Sequence, residues 1–268
     1  MRFAVMGHPV AHSLSPIIHQ RFAEQIGKRL IYEKIEIDLA RFEQQVLDFF
    51  NEGGSGLNIT LPCKQRAFAM SAKVSERSAA AKAANTLWME AGRLHADNTD
   101  GVGLLRDMNR YIHLAGKRIL LLGAGGAAHG ILGHLLLEKP AELMVSNRTP
   151  ERARALQLAF PMANCCAFTE LAAHVKKNAY DVVINATSAS LNGKNLELPA
   201  NLLATKPFCY DLAYRCDGVP PFVAWARTAG SVAVDGLGLL VEQAAEAFRI
   251  WHGVMPDTAP VLNDLRSG

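Results

Sequence analysis

The chain carries two groups of residues whose types and spacing could do chemistry. In the first, Arg118-Ile119-Leu120-Leu121-Leu122 runs directly into Gly123-Ala124-Gly125-Gly126-Ala127-Ala128-His129-Gly130, and a second apolar stretch ends at Ser146-Asn147-Arg148-Thr149. Within a strand-turn-helix unit, Gly123 makes the tight turn, Gly125 lets the backbone approach a pyrophosphate, and Ala128 is small enough for close helix-on-strand packing. The helix N-terminus adds free N–H groups and a partial positive charge, so Gly123 through Ala127 form a phosphate cradle. Glycines also mark ordinary turns, and only the flanking strands and helix give the pattern this meaning. Where the second strand ends, an NAD site usually places Asp or Glu against the ribose 2'-hydroxyl. Here stand Asn147, Arg148, Thr149 and, one helical turn on, Arg152. Two guanidinium groups and no carboxylate suit a 2'-phosphate, which points to NADP. The alternative is a solvated basic helix start, unfavourable beside the positive end of a helix dipole unless an anion is present.

The second group is Asn58, Thr60 and Lys64. Gly56-Leu57-Asn58-Ile59-Thr60 reads as a strand on which Asn58 and Thr60 share one face, and Lys64 follows after Pro62 near a helix start that does not compensate its charge. Ligands of open α/β sheets sit beyond such carboxyl ends of strands. A solvated surface lysine is the other reading, and the commoner fate of lysine.

The elements needed to position these residues are legible in the pattern. Arg2 to Met6 reads as a strand, Ser15-Pro16 as an N-cap and first helical residue, and the helix from Pro16 stops near Gly27. Ile31 to Ile37 gives a second strand, and Phe42, Val46, Phe49 and Phe50 mark a helix ending at Gly53-Gly54. Helical segments run on to Ala84, and Thr86 to Met89 and Arg93 to Ala96 form a hairpin about Glu90-Ala91-Gly92. Asp97-Asn98-Thr99-Asp100-Gly101 opens a helix toward Tyr111. Further strands are expected at 118–122, 141–146, 181–184, 208–210 and 231–234, with helices between, then a long apolar helix after Asp235-Gly236-Leu237-Gly238 and a terminal one after Pro256. The expected architecture is α/β throughout, an N-terminal α/β substrate domain of residues 1–101 and 236–268 and a Rossmann NADP-binding domain of residues 102–235, with a cleft between them.

Composition narrows the class. A length of 268 residues is comfortable for two domains, and a formal charge of +3 is too small to argue for nucleic acid or an anionic membrane. Five cysteines at 63, 165, 166, 209 and 216 lack metal-ligand spacing, so no metal is expected and reduced thiols in a cytosol are. Ile119 to Leu137 holds no Asp, Glu, Lys or Arg, yet its five glycines and two histidines fit a buried strand and packed helix better than a membrane span. The N-terminal apolar stretch stops at Gly7-His8-Pro9 without a small-residue cleavage site, unlike a signal peptide.

Ser13-Leu14-Ser15-Pro16, Asn58-Ile59-Thr60-Leu61-Pro62-Cys63-Lys64, Ala84-Asn85-Thr86, Asp97-Asn98-Thr99-Asp100-Gly101, Asn147-Arg148-Thr149, Asn185-Ala186-Thr187-Ser188 and Asp235-Gly236-Leu237-Gly238 occur in one order along nearly the whole chain. In that order they resemble the shikimate dehydrogenase family. The resemblance implies reversible reduction of 3-dehydroshikimate to shikimate by NADPH, a step toward chorismate and the aromatic amino acids, in a cytoplasmic monomer or homodimer. It makes Lys64 the general acid/base and Asp100 its partner. It gives the substrate carboxylate to Ser13 and Ser15 and the hydroxyls to Asn58, Thr60, Asn85, Asp100 and Gln243, with Tyr214 beside the substrate. Leu212 and Gly236 would line the nicotinamide pocket, and Glu76 would touch the ring. Ser15 could instead be only a helix N-cap, Asn85 only a turn former and Glu76 a helix-surface carboxylate. His8, His12 and His19 are read as bystanders. Cys63 departs from the family's usual Phe, which would loosen packing around Lys64 or leave a modifiable thiol, and Ala189-Ser190 replaces a more glycine-rich continuation. Two other functions stay open: a quinate/shikimate dehydrogenase of broader range, and a nucleotide-sensing binding protein without catalysis.

Overall fold

Apolar runs alternating with one-sided apolar stripes fold into two units in the computed structural model of the chain, which describes residues 1–177 and 179–267. Met1–Arg106 with Gly238–Gly268 makes one unit, and Asp107–Leu237 the other. The sequence pattern sets these crossings at 101/102 and 235/236, a few residues earlier in each case.

The first unit begins β1 (Arg2–Gly7), α1 (Ser15–Gln25), β2 (Ile31–Glu36), α2 (Phe42–Asn51), β3 (Gly54–Ile59), α3 (Lys64–Met70), β4 (Lys73–Val74), α4 (Glu76–Ala81), β5 (Thr86–Glu90), β6 (Arg93–Asp97) and α5 (Asp100–Met108). Among the described residues its strands form a six-stranded sheet in the order β2-β1-β3-β5-β6-β4. β1 pairs in parallel with β2 and β3, and the β5–β6 hairpin adds an antiparallel edge beside β3. Ala91 and Gly92 both take positive φ, 49° and 72°, which is the two-residue turn whose twist suits a hairpin. Glu90, expected in the turn, is paired with Arg93 inside the ladder. β4 escapes the sequence pattern because two residues cannot show a period.

Along α1 the buried positions are Ser15, Ile18, His19, Phe22 and Ala23, a 3.6-residue stripe. Ser15 is not the N-cap that Ser-Pro suggests: Leu14 holds that place and Ser15 is the first helical residue. His19 is fully buried, stacked on Tyr32 with ring centroids 4.4 Å apart and flanked by Phe22, Phe248 and Trp251. Burial lowers its pKa to about 3, so it is a neutral core ring at ordinary pH.

The second unit continues β7 (Arg118–Leu122), α6 (Gly126–Leu137), β8 (Glu142–Asn147), α7 (Pro150–Ala159), β9 (Asn164–Ala167), α8 (Phe168–Lys177), β10 (Val182–Asn185), β11 (Phe208–Asp211), α9 (Pro221–Thr228) and β12 (Ala233–Val234). Its sheet is wholly parallel in the order β12-β11-β10-β7-β8-β9, the doubly wound Rossmann order with its switch point between β7 and β10. The charge-free stretch 119–137 resolves into β7 and α6, and among the described residues no helix is long and apolar enough to cross a membrane. Nothing in the sequence pattern marks β9, since Asn164-Cys165-Cys166-Ala167 shows no clear alternation.

The chain then enters α10 (Leu237–His252) and ends in α11 (Thr258–Ser267). Val241, Ala244, Ala245 and Phe248 are fully buried on α10, and one carboxylate on it fastens the first unit. Glu246 accepts from Arg77 (3.0 Å), Arg106 (2.8 Å) and Arg249 (2.7 Å), while Arg77 forks onto Asp97 at 2.6 and 2.7 Å. Residues from α4, β6, α5 and α10 thus share one ionic knot. Burial pulls the Glu246 carboxyl upward, but the bonds from Arg249, Arg77 and Arg106 outweigh it and hold the pKa at about 2. Because this folded value lies below the usual carboxylate value near 4.5, its stabilisation is full above that value and is lost as pH falls toward 2. Glu246→Gln is expected to lower unfolding free energy by about 2 kcal/mol at neutral pH. The gap between variant and wild type, measured by urea denaturation, should close between those two pH values; a gap independent of pH would refute this account.

Candidate functional site

In the first unit the chemistry-bearing residues gather at the carboxyl end of β3. Lys64 opens α3 and its Nζ lies 2.6 Å from Oδ2 of Asp100, the first residue of α5. Both side chains are largely buried, at 15% and 9% exposure, so Lys64 is neither a solvated surface lysine nor uncompensated in charge. A pair this enclosed gains from a further hydrogen bond to its carboxylate.

Asn85 supplies that. Its Nδ2 donates to Asp100 Oδ1 at 2.8 Å and also lies 3.0 Å from Thr99 Oγ1 and 3.2 Å from Gln243 Oε1. Its Oδ1 accepts from the Thr99 N–H at 2.9 Å and from the Thr86 hydroxyl at 3.0 Å. The Asn85 backbone carbonyl accepts the N–H of Ile59 and the side-chain Nδ2 of Asn58. A turn former would not need these bonds; Asn85 connects β3, α5 and α10.

Asn58 is held from both ends, donating to the Asn85 carbonyl and to Thr86 Oγ1 and accepting from the Tyr32 hydroxyl at 2.7 Å. Ser13 Oγ lies 3.1 Å from Ser15 Oγ and accepts the Ser15 N–H. Since Ser15 is no N-cap, its hydroxyl is not used to cap α1. Thr60 falls one residue past the end of β3, half-buried, with its methyl against Gly7, and is not a strand neighbour of Asn58 as the alternation suggests. Gln243 is buried and donates to the Leu240 carbonyl. Glu76 lies exposed in the first turn of α4, its carboxylate without a hydrogen bond or ion pair among the described residues.

The loop bearing Ser13 has its own fastening. Glu36 accepts the Val10 N–H at 3.1 Å and His8 Nδ1 at 2.5 Å, and Lys34 donates to the Ala11 carbonyl at 2.6 Å. Cys63 is buried in the apolar cluster of Ala4, Met6, Ile59 and Ala67, where burial pushes its thiol pKa up. It packs closely and is the opposite of a reactive thiol. Among the described residues no group of three or more His, Cys, Asp or Glu could hold a metal ion.

In the second unit Gly123 follows β7 with φ +105°, and a Cβ there would meet Ala186 and Thr187 at 3.1 Å. At Gly125 and Gly126 a Cβ would meet nothing within 4 Å, and the N-cap of α6 makes no side-chain bond to its free N–H groups. Open space over unpaired N–H groups fits a pyrophosphate. Ala124 is buried, Ala127 half-buried, and Ala128 fully buried against the sheet. Past β8, the Asn147 amide donates to the Thr149 carbonyl at 2.8 Å and shapes its own turn. Arg148, Thr149 and Arg152 are exposed, and neither arginine carries an ion pair among the described residues. Two unmatched guanidinium groups at the start of α7, with its own positive dipole end, fit a phosphate and oppose a bare surface. Leu212 and Tyr214 are half-buried on the segment after β11, and Gly236 packs against the Leu212 carbonyl.

Tyr32, Thr86 and Thr99 are the network members that sequence patterning does not single out. Thr86 and Thr99 stand inside the motifs Ala84-Asn85-Thr86 and Asp97 to Gly101 and could have been found there, whereas nothing local marks Tyr32.

Three family models match the chain: the shikimate dehydrogenase substrate binding domain over residues 5–87, shikimate/quinate 5-dehydrogenase over 106–214, and the shikimate 5'-dehydrogenase C-terminal domain over 236–266. A shikimate dehydrogenase (NADP(+)) of Legionella pneumophila strain Philadelphia 1 is 56% identical over 266 residues, covering 99% of this chain and 98% of that protein. Among solved structures, an Ael1 enzyme from Pseudomonas putida aligns with a TM-score of 0.90 at 45% identity, over 98% of this chain and 97% of its own. Shikimate 5-dehydrogenase from Thermus thermophilus, crystallised with NADP(H) and shikimate, aligns with a TM-score of 0.87 at 33% identity, over 100% and 99%.

Removing the Asn85 amide tests the hub itself. Asn85→Ala leaves Asp100 Oδ1 and the Thr99 N–H short of a buried partner, so urea denaturation should show a loss of about 2–3 kcal/mol. An unchanged midpoint would mean that Asn85 does not hold the site together.

Proposed function

The chain belongs to the shikimate dehydrogenase family, and from that premise we propose a role for each residue of the two clusters. The enzyme is an NADP-dependent oxidoreductase that interconverts shikimate and 3-dehydroshikimate. NADP, when bound, supplies the acceptor or donor of hydride.

Lys64 acts as general acid and base, and Asp100 as its partner at the substrate hydroxyl. The observation that carries this reading is the enclosed 2.6 Å contact between Lys64 Nζ and Asp100 Oδ2. As the ketone is reduced, negative charge grows on its oxygen, and the Lys64 ammonium donates a proton to it. In the oxidative direction the neutral amine accepts the hydroxyl proton. Asp100 keeps lone pairs beyond those given to Lys64 and Asn85, and these can orient the reacting hydroxyl. Ser13 and Ser15 donate hydroxyls to the substrate carboxylate. Asn58, Thr60, Asn85 and Gln243 read the ring hydroxyls, and Tyr214 lies beside the substrate.

Gly123 through Ala127 cradle the pyrophosphate, and Asn147 through Arg152 take the adenosine 2'-phosphate. Leu212 and Gly236 line the nicotinamide pocket, whereas the Glu76 contact rests on family resemblance alone. The substrate residues other than Tyr214 lie in the unit that contains β1 to β6, and we assign substrate binding to that unit and NADP binding to the Rossmann unit. We place the protein in the cytoplasm as a monomer or homodimer; its five cysteines are all free thiols, in keeping with a reducing compartment.

Lys64→Ala should lower kcat by about 10²- to 10⁴-fold in steady-state assays, and near-normal turnover would overturn the mechanism. Replacing Arg148 and Arg152 by alanine should raise the KM for NADP by about tenfold or more while leaving that for NAD nearly unchanged. The broader quinate reading is tested by comparing shikimate and quinate with both cofactors: faster turnover of quinate with NAD would replace the assignment made here.

A further inference from the structure

One buried carboxylate takes no part in the roles above. Asp211 ends β11 and has no solvent exposure. Its Oδ2 accepts from Ser190 Oγ at 2.5 Å and from Asn185 Nδ2 at 3.0 Å, and its Oδ1 accepts the Ala213 N–H at 2.9 Å. Asn185 ends β10 and uses its own Oδ1 for the N–H and hydroxyl of Thr187, at 3.0 and 2.8 Å. The backbone continues the lock: Leu212 N–H donates to the Asn185 carbonyl and Gly236 N–H to the Ala213 carbonyl. A Cβ on Gly236 would fall 2.1 Å from the Leu212 carbonyl oxygen, so a glycine is required for that approach. The segments leaving β10 and β11 are therefore joined through one side chain, and the segment leaving β12 through a backbone bond to Ala213.

No ion pair to Asp211 exists among the described residues. Burial pushes its carboxyl pKa up, while the bonds from Ser190, the Ala213 N–H and Asn185 pull against that rise. Asn185 belongs to a strand and Ala213 contributes backbone, so Ser190 is the one side-chain donor drawn from a loop. It is fully enclosed in the short 3-10 turn Ser190–Asn192. It also sits in Ala189-Ser190, the stretch where the chain departs from a glycine-rich continuation. The hydroxyl adds a bond to a carboxylate that glycine could not supply.

We propose that Ser190 and Asp211 are positioning residues for the nicotinamide end of the cofactor, holding Leu212 and Gly236 in register without touching the cofactor themselves. This rests on the reading that those two residues border the nicotinamide. A merely structural role would disturb the whole Rossmann unit, including the adenosine end at β8 and α7. Positioning acts on one end alone.

The test compares binding of NADP+ with binding of 2'-phospho-ADP-ribose, which keeps the adenosine 2'-phosphate and pyrophosphate but lacks the ring. Calorimetry on the full chain is run for wild type, Ser190→Ala, Ser190→Cys and Leu212→Ala. Ser190→Ala should weaken NADP+ by about threefold to tenfold, as expected for losing one bond to a buried charge, and leave 2'-phospho-ADP-ribose unchanged. The KM for shikimate should hold. Ser190→Cys keeps a weak donor in a similar volume and should fall between the two, and it carries the test if the alanine variant does not fold. Equal weakening of both ligands, or no weakening of either, overturns the proposal. If Leu212→Ala also fails to separate the two ligands, the nicotinamide reading of the pocket is what falls, and the proposal falls with it.

Discussion

A lysine and an aspartate enclosed together depend on further hydrogen bonds to fix their geometry, and in this chain the one given to the Asp100 carboxylate comes from the amide of Asn85. Asp100 Oδ2 faces Lys64, and Asp100 Oδ1 faces Asn85. Asn85 in turn sets the rotation of Asn58 through its carbonyl, anchors Thr99 through its side-chain oxygen, and reaches Gln243 on α10. These residues come from β3, the starts of α3 and α5, the segment before β5 and α10. Strand ends, a hairpin and these helices are brought to one point because a single planar amide presents donors on one side and an acceptor on the other.

The two units solve the problem of binding polar ligands in different ways. In the first, side chains already bonded to one another hold the site, and the fit of each depends on its neighbours. In the second, backbone and open space do most of it: Gly123 turns the chain, Gly125 and Gly126 leave room, and among the described residues no side chain caps the start of α6. The proton transfer proposed for Lys64 needs the first kind of construction because a proton must be delivered to one atom. A pyrophosphate, with several equivalent oxygens, is served by the second.

Local features were legible from the sequence and distant ones were not. The Rossmann unit could be read because β7, the glycine turn and α6 are contiguous and their periods differ, so α/β class and NADP follow from some thirty residues around Gly123. Ser15 misled because Ser-Pro signals a cap wherever it occurs, whereas here the Ser13 hydroxyl takes the Ser15 N–H and shifts the helix start by one residue. Thr60 falls one residue beyond the assigned end of β3, although its N–H still donates to the Met6 carbonyl of β1. The partners of Glu246 lie as far away as Arg77, and the hydroxyl on Asn58 comes from Tyr32; pairings this long-range leave no local period to read.

The ionic knot at Glu246 also orders events during synthesis. Three of its four arms, Arg77, Asp97 and Arg106, emerge from the ribosome before the Rossmann unit, and Glu246 emerges after it. All the strands of the Rossmann sheet are therefore available to pair while the first unit still lacks α10. During that interval the apolar side chains that α10 will cover, Phe22 among them, have no lid, and the host unit still waits for its last helices.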